Sequence, residues 1–134
     1  VSPYRMLAQM AAKEKQWPVV VEQSGKVLAL NPVSFPDAWF LNAVGHLLLR
    51  ELDAAEKSAR QGLKLDEQHH FPKFEYVLGM VLADKHNYTE AADHIRRYIA
   101  LSTAAPDIEA GKKELAQIES LAPNLAAPAV AEKK

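Results

Sequence analysis

The sequence has 134 residues, of which 49 % are hydrophobic and 25 % charged, so we expect one domain with a substantial apolar core. Its 16 basic and 17 acidic residues leave a net charge of −1, which disfavours binding to nucleic-acid phosphates and to anionic membrane surfaces. The absence of cysteine excludes disulfides, thiolate catalysis and cysteine-ligated metal sites. The balanced charge therefore predicts no nucleic-acid partner. Because the longest apolar runs are far too short to span a bilayer, we also expect no membrane insertion.

The amino-terminal residues Val1-Ser2-Pro3 contain no start methionine, and no apolar signal segment follows them. We therefore expect a processed chain or a fragment of a longer protein. A cysteine-free domain is compatible with the cytoplasm or the periplasm, so the sequence predicts no particular compartment.

A repeat with a spacing of 35 or 36 residues runs through most of the chain. Small residues recur at Ala8, Ala43 and Gly79, and each of them precedes a second repeated position by 12 residues. That second position is Val20, Ala55 or Ala91. Because the spacing is constant within units and varies only between them, each unit is predicted to be a packed pair of helices joined to the next by a loop.

The first helix of each unit is predicted from a stripe of mostly small or apolar residues at i, i+3, i+4 and i+7, and the same spacing recurs in each unit. These stripes are Tyr4, Leu7, Ala8 and Ala11, then Trp39, Asn42, Ala43 and His46, then Glu75, Leu78, Gly79 and Leu82. The facing stripes of the second helices are Ala55, Ala59, Gly62 and Leu63, then Ala91, Ile95, Tyr98 and Ile99. Pro36, Pro72 and Pro106 are expected where first helices begin, and Pro32 after the end of a second helix.

Residues 106–121 are predicted to form one more helix. Ile108, Leu115 and Ile118 share one side of it, and charged residues lie mostly on the other. This pattern suits the terminal cap that a stack of repeats needs. The last residues, 122–134, are expected to be a flexible tail.

In these motifs the sequence resembles the tetratricopeptide repeat (TPR), a helix–turn–helix unit of about 34 residues. The matching segments are Tyr4-x₂-Leu7-Ala8…Val20…Pro32, Trp39-x₂-Asn42-Ala43…Ala55, and Leu78-Gly79-x₂-Leu82…Ala91-x₃-Ile95. The resemblance implies an all-α fold, a right-handed superhelical solenoid of seven helices in antiparallel pairs. It divides a domain at 1–121 into repeats at about 1–35, 36–71 and 72–104 and a capping helix at about 106–121.

Several residues depart from the family pattern. Asn42 and His46 are polar on a stripe that the family fills with larger apolar residues, and we expect them to form a core or interhelix hydrogen-bonding pair. Glu75 also stands at a commonly apolar position. The family's usual glycine before the second helix is absent, and Asn87 is expected to supply a left-handed residue there and to cap the helix that follows.

In the family that the sequence resembles, the first helices line a concave groove that receives peptides. The resemblance places the groove-facing residues just after the Trp-like position and a turn or two later. In this chain they are Arg5, Gln9 and Lys13 in the first unit, Phe40, Leu41, Val44, Leu47 and Leu48 in the second, and Tyr76, Val77, Met80 and Asp84 in the third.

Two of these three sets are largely apolar, and an exposed apolar surface commonly marks an interaction site. We therefore predict a scaffold module that binds a protein or a peptide in the groove. The alternative is a structural spacer or a self-association domain, whose groove is filled by its own segments or by a second copy in a homodimer.

The orientation of the first helix in the second unit decides which residues face the groove. Phe40 is assigned to the groove because it follows Trp39, which must face the paired helix, and neighbouring helical positions diverge by about 100°. If the helix is turned, Asn42 and His46 would face the groove and Phe40 would pack between units. The relative burial of Phe40 and Asn42 distinguishes these arrangements.

Some members of the family bind a terminal carboxylate with Lys and Asn from neighbouring units, and that constellation is absent here. Arg5 and Lys13 are basic, but the matching positions in the other units are apolar. Arg5 and Lys13 are then either solvated surface cations or contacts for an acidic rim of the ligand.

The polar residues do not predict an enzyme, a metal site or a cofactor. The histidines are His46, His69, His70, His86 and His94, and no tetrahedral ligand spacing accompanies them. No serine nucleophile, glycine-rich phosphate loop or paired carboxylate in a cleft is evident. The acidic residues Asp53, Glu56, Glu90 and Asp93 lie near the starts of second helices, where they favour the helix dipole.

Overall fold

A computed structural model describes residues 3–33, 35–66 and 71–122, with the side chains of residues 3–5 outside this description. The described residues form seven α-helices and no strand. The helices are α1 Pro3–Lys13, α2 Trp17–Leu30, α3 Pro36–Leu48, α4 Leu52–Leu65, α5 Lys73–Asp84, α6 Tyr88–Leu101 and α7 Ala105–Leu121. The predicted all-α solenoid of seven helices is therefore confirmed over the described ranges. The division into a domain and a tail stays a prediction, because residues 123–134 lie outside the described ranges.

The helices stack as successive pairs. Each first helix packs against its own second helix, and each second helix packs against the first helix of the next unit. In addition, α3 contacts both α1 and α5, so the first helices form one continuous layer of the stack. The first helices α3 and α5 therefore lie side by side within this layer.

Prolines begin the helices largely as the sequence predicts. Pro36 is the first residue of α3 and Pro106 the second residue of α7, where a missing N–H removes no helical hydrogen bond. Pro72 is the residue immediately before α5. Pro32 follows the end of α2, as expected.

The turn inside each helix pair contains one residue in the left-handed conformation, namely Lys15, Arg50 or His86, with φ of 59°, 65° and 67°. The next N–H donates to a carbonyl five residues earlier, as from Asn87 to Leu82 at 2.8 Å. The prediction that Asn87 is the left-handed residue is wrong by one position, because this hydrogen bond requires the preceding residue to be left-handed. The prediction that Asn87 caps the next helix is also wrong, because Asn87 lies immediately before α6 and makes no capping side-chain hydrogen bond. Its Nδ2 donates instead to Glu90 at 3.2 Å.

Small residues let the helices approach closely at the predicted positions. A Cβ atom added to Gly79 would lie 2.5 Å from Cδ1 of Ile95 on α6, so any larger residue there would have to displace the buried Ile95 side chain. Ala43 is fully buried in the same apolar cluster. Leu7 differs from the expected pattern, since it is half exposed, whereas its counterpart Asn42 lies against α2. Among the described residues no helix precedes α1 to cover Leu7.

Asn42 joins three helices through a buried hydrogen-bond network. Its Nδ2 donates to Oγ of Ser24 on α2 at 3.0 Å, and its Oδ1 accepts from Oγ of Ser58 on α4 at 2.6 Å. Ser24 in turn donates to the carbonyl of Val20 at 2.6 Å. The carboxamide is 7 % exposed, whereas Phe40 is only partly buried. Helix α3 is therefore not turned away from the predicted orientation, and Asn42 faces the interior.

The predicted pair between Asn42 and His46 does not form. His46 Nδ1 instead lies 2.7 Å from Oε1 of Glu51, the residue immediately before α4. Asn42 is already satisfied by the serines of two neighbouring helices, so the spacing of four residues does not produce a contact between the two polar groups.

Candidate functional site

A cavity of about 330 Å³ opens along the layer of first helices, between α3, α5 and the start of α7. We call it the groove cavity. It is lined by Phe40, Val44, Leu47, Leu48, Lys73, Tyr76, Val77, Met80, Tyr98, Asp107 and Ala110. The α3 side is wholly apolar and the α5 side mostly so, while α6 and α7 contribute Tyr98, Asp107 and Ala110.

Seven of the residues assigned to the groove from the sequence line this one cavity. They are Phe40, Val44, Leu47 and Leu48 on α3 and Tyr76, Val77 and Met80 on α5. The sequence interpretation missed Lys73, Tyr98, Asp107 and Ala110. Asp107 and Ala110 are three residues apart on the capping helix, so the sequence could have placed both of them on one face.

Four of the other predicted groove residues, Gln9, Lys13, Leu41 and Asp84, do not line the groove cavity. Gln9 donates from Nε2 to Oδ2 of Asp37 at 3.3 Å, and Lys13 is exposed on α1. Asp84 accepts from Nη1 of Arg50 at 2.7 Å. Leu41 is partly buried on α3 outside the lining, and the side chain of Arg5 lies outside the described part of the chain.

Aromatic contacts hold the floor of the groove cavity in place. The ring centroid of Phe40 lies 5.2 Å from that of Phe71 and 6.0 Å from that of Phe74, which is fully buried. The rings of Tyr76 and Tyr98 are 4.9 Å apart. These separations are typical of favourable aromatic pairs, so the aromatic side chains that line the cavity, Phe40, Tyr76 and Tyr98, are held in place before a ligand binds.

Acidic groups lie along the α7 side. Burial raises the pKa of Tyr76, and the negative charge of Glu114 and the neighbouring Tyr98 raise it further. Burial also raises the pKa of the Glu114 carboxyl, and repulsion from Asp84 adds to that increase. The pKa of Tyr98 is raised by burial and then by Asp107. The carboxylates along this side therefore raise the pKa of the groups beside them.

No protein-family model matches the sequence, and no curated protein matches it. Among solved structures, the chain is similar to one described as "Arabidopsis OM64 TPR domain", with a TM-score of 0.74 and 21 % identity. The similarity covers 84 % of this chain and 90 % of that one. The chain has the tetratricopeptide-repeat fold. The TPR resemblance of the sequence motifs is thus confirmed at the level of the fold, with α1, α3 and α5 as the first helices of its repeats.

Ion pairs link α4 to residues at the start of α6 and just before it, outside the groove cavity. Lys85 donates to both Asp53 and Glu56 at 2.7 Å, and Arg60 reaches Glu56 at 2.8 Å and Glu90 at 2.9 Å. The hydrogen bond from Lys85 lowers the pKa of Glu56, and the one from Arg60 lowers that of Glu90. The acidic residues near the second-helix starts therefore connect α4 to α5 and α6, in addition to meeting the helix dipole.

A buried carboxylate–imidazole pair joins α5 to α6. His94 Nδ1 on α6 is 2.6 Å from Oε1 of Glu75 on α5, and both side chains are buried. His94 Nε2 also approaches Glu90, at 3.4 Å. Both ring nitrogens are thus engaged, and neither Glu75 nor His94 lines the groove cavity. This pair explains why Glu75 occupies a position that is usually apolar.

Within residues 3–33, 35–66 and 71–122 no group of three or more His, Asp or Glu side chains is placed to hold a metal ion. His69 and His70 lie outside them. No described helix combines the length and hydropathy needed to cross a membrane.

Proposed function

We propose that this TPR domain is a protein-interaction module that binds a polypeptide segment in the groove cavity. The observation that carries the proposal is the convergence of apolar side chains from α3 and α5 on one open cavity. Its volume of about 330 Å³ lies at the lower end of the range of roughly 300–1,000 Å³ for ligand pockets. Such a volume accommodates a few apolar side chains rather than a whole helix.

The composition of the groove cavity supports a polypeptide ligand. Leu48 is 48 % exposed at its rim, so the free protein leaves apolar surface in water. Phe40, Tyr76 and Met80 are residue types enriched at the buried centres of protein interfaces. Because aromatic contacts preorder the floor, binding costs little side-chain entropy on this side of the interface.

We propose no catalytic role for this domain. The groove cavity contains Lys73 and Asp107 as its charged lining residues, and its other walls are apolar or tyrosine. The buried Glu75–His94 pair lies elsewhere and is engaged in contacts between α5 and α6. An apolar site of this kind suits recognition better than proton transfer.

Selection of short peptides from a random library against the immobilised protein tests the proposal. The affinities of selected peptides are then measured by fluorescence anisotropy for the native protein and for Leu48→Asp and Met80→Asp variants. We expect each groove variant to lose at least about tenfold in affinity. Leu30→Asp is the matched control, because Leu30 is exposed on α2 and outside the groove cavity. Equal losses in all three variants would contradict the proposal.

Sedimentation velocity distinguishes this function from the alternative of a spacer or dimerisation domain. We expect a monomer at micromolar concentration, with the groove cavity free to bind a peptide. A stable dimer that is disrupted by Leu48→Asp would show instead that a second copy of the chain fills the groove cavity.

A further inference from the structure

A second cavity opens beside the groove cavity, where α5 and α7 begin. We call it the loop cavity, and its volume is about 220 Å³. It is lined by Phe71, Pro72, Lys73, Tyr98, Leu101, Ser102, Thr103 and Asp107. Three of these residues, Lys73, Tyr98 and Asp107, also line the groove cavity. The two cavities therefore adjoin, and a single ligand can enter both.

Contacts within the protein hold the walls of the loop cavity. The ring centroid of Phe71 lies 5.2 Å from that of Phe40, which lines the groove cavity. The N–H of Phe71 also donates to Oδ2 of Asp66 at 2.7 Å. In the segment after α6, Oγ of Ser102 donates to the carbonyl of Tyr98 at 2.6 Å. The loop cavity is thus formed before a ligand binds, so occupying it costs little ordering of the protein.

The lining of the loop cavity has an apolar part and a polar part. The apolar part comes from Phe71, Pro72 and Leu101, and the polar part from Lys73, Ser102, Thr103 and Asp107. A wholly apolar side chain would desolvate the polar groups without replacing their hydrogen bonds to water. A short polar side chain would leave the apolar part in water.

Tyrosine matches both parts of this lining. Its ring is apolar, and its hydroxyl both donates and accepts hydrogen bonds. The carboxylate of Asp107 can accept from that hydroxyl, and the ammonium of Lys73 can donate to it. The indole N–H of tryptophan only donates, and phenylalanine offers neither group.

We infer that the loop cavity binds a tyrosine side chain of the same polypeptide whose apolar side chains occupy the groove cavity. This inference rests on the proposed function and adds a second subsite to it. The volume of about 220 Å³ lies below the range of roughly 300–1,000 Å³ for pockets that hold a whole ligand, as expected for one side chain. Because Lys73 and Asp107 border both cavities, the tyrosine lies within a few residues of the apolar anchors in the sequence of the ligand.

Parallel selections from the random peptide library test this inference. One uses the native protein and another the Thr103→Trp variant, which places an indole ring at the loop cavity. Thr103 is exposed between α6 and α7, so the change leaves the helices intact. Thr89→Trp is the matched control, since Thr89 is exposed on α6 and lies outside both cavities. We expect the native protein and the control to select tyrosine near apolar residues, and Thr103→Trp to select the apolar residues alone.

Fluorescence anisotropy then measures the contribution of the tyrosine in the tightest selected peptide. Replacing it with alanine should weaken binding at least about tenfold, and replacing it with phenylalanine by about threefold to tenfold. Asp107→Asn should reduce the difference between the tyrosine and phenylalanine peptides, because a neutral amide accepts a hydrogen bond less strongly than a carboxylate. Asp93→Asn, at an exposed position of α6 outside both cavities, should leave it unchanged. A tyrosine preference that survives in both Thr103→Trp and Asp107→Asn would overturn the inference.

The outcomes separate this inference from the proposed function. If the native protein selects apolar peptides without tyrosine and Leu48→Asp weakens their binding, the groove cavity binds polypeptides and the second subsite is wrong. If no selected peptide depends on Leu48 or Met80, the proposed function fails, and this inference fails with it.

Discussion

Replacing Asn42 with alanine removes a buried carboxamide that hydrogen-bonds to both neighbouring second helices. Its partners are Ser24 on α2 at 3.0 Å and Ser58 on α4 at 2.6 Å. The change therefore breaks a connection between the first and second repeats, on either side of the helix that forms one wall of the groove cavity.

The expected loss of stability follows from these contacts. Each of the two hydrogen bonds contributes about 1 kcal/mol, and Ser58 is left with a buried hydroxyl whose acceptor is gone. The removed carboxamide also leaves a small cavity. Together these terms predict that Asn42→Ala lowers the free energy of unfolding by about 2–4 kcal/mol.

Urea denaturation followed by circular dichroism measures this loss. Gln9→Ala is the matched control, because it also removes a carboxamide that bonds between helices, but at an exposed site and at 3.3 Å. We expect the control to cost less than about 0.5 kcal/mol. A double-mutant cycle with Ser58→Ala should give a coupling of about 1 kcal/mol. A loss below about 1 kcal/mol for Asn42→Ala, or additive single variants, would refute the reasoning.

Three further changes test other parts of the account. Lys15→Gly should raise the free energy of unfolding by about 0.5–1 kcal/mol in thermal melts, because glycine adopts a φ of 59° without strain; a lower melting temperature would contradict this. Glu114→Gln should stabilise the free protein at pH 7, because the ionised form of a group with a raised pKa opposes folding. This gain should vanish below the ordinary pKa of 4.5, where the carboxyl is protonated in both states, and a gain that persists there would point to packing instead. Phe40→Ala should weaken peptide binding at least about tenfold, whereas Lys13→Ala should mainly change its salt dependence; equal effects would contradict an apolar anchor.

The positions of the helices were predictable because close packing imposes a spacing on the sequence. Gly79 must be small to admit Ile95, and Ala43 is fully buried at the equivalent position of the repeat before it. The groove residues of α3 were predictable for a related reason. Trp39 packs with Val27 and Leu28 of α2, and the 100° step of the helix places Phe40 on another face.

The polar contacts were not predictable in the same way, because they join residues that are distant in the sequence. The network of Asn42 unites side chains 16 and 18 residues away, and no local pattern marks Ser24 or Ser58 as its partners. Similarly, spacing alone paired Asn42 with His46, but the buried serines satisfy the carboxamide instead. The rotation of α7, which sets Asp107 and Ala110 at the groove cavity, depends on its packing against α6.

Whether a polypeptide binds in the groove cavity can be observed residue by residue. The most direct measurement is an NMR titration of the isotope-labelled protein with a library-selected peptide, followed through the backbone amide shifts. The account predicts that the largest changes cluster at Val44, Leu48, Tyr76 and Met80 and along the first turns of α7. Changes confined to the second helices α2, α4 and α6, or no changes at saturating peptide, would contradict it.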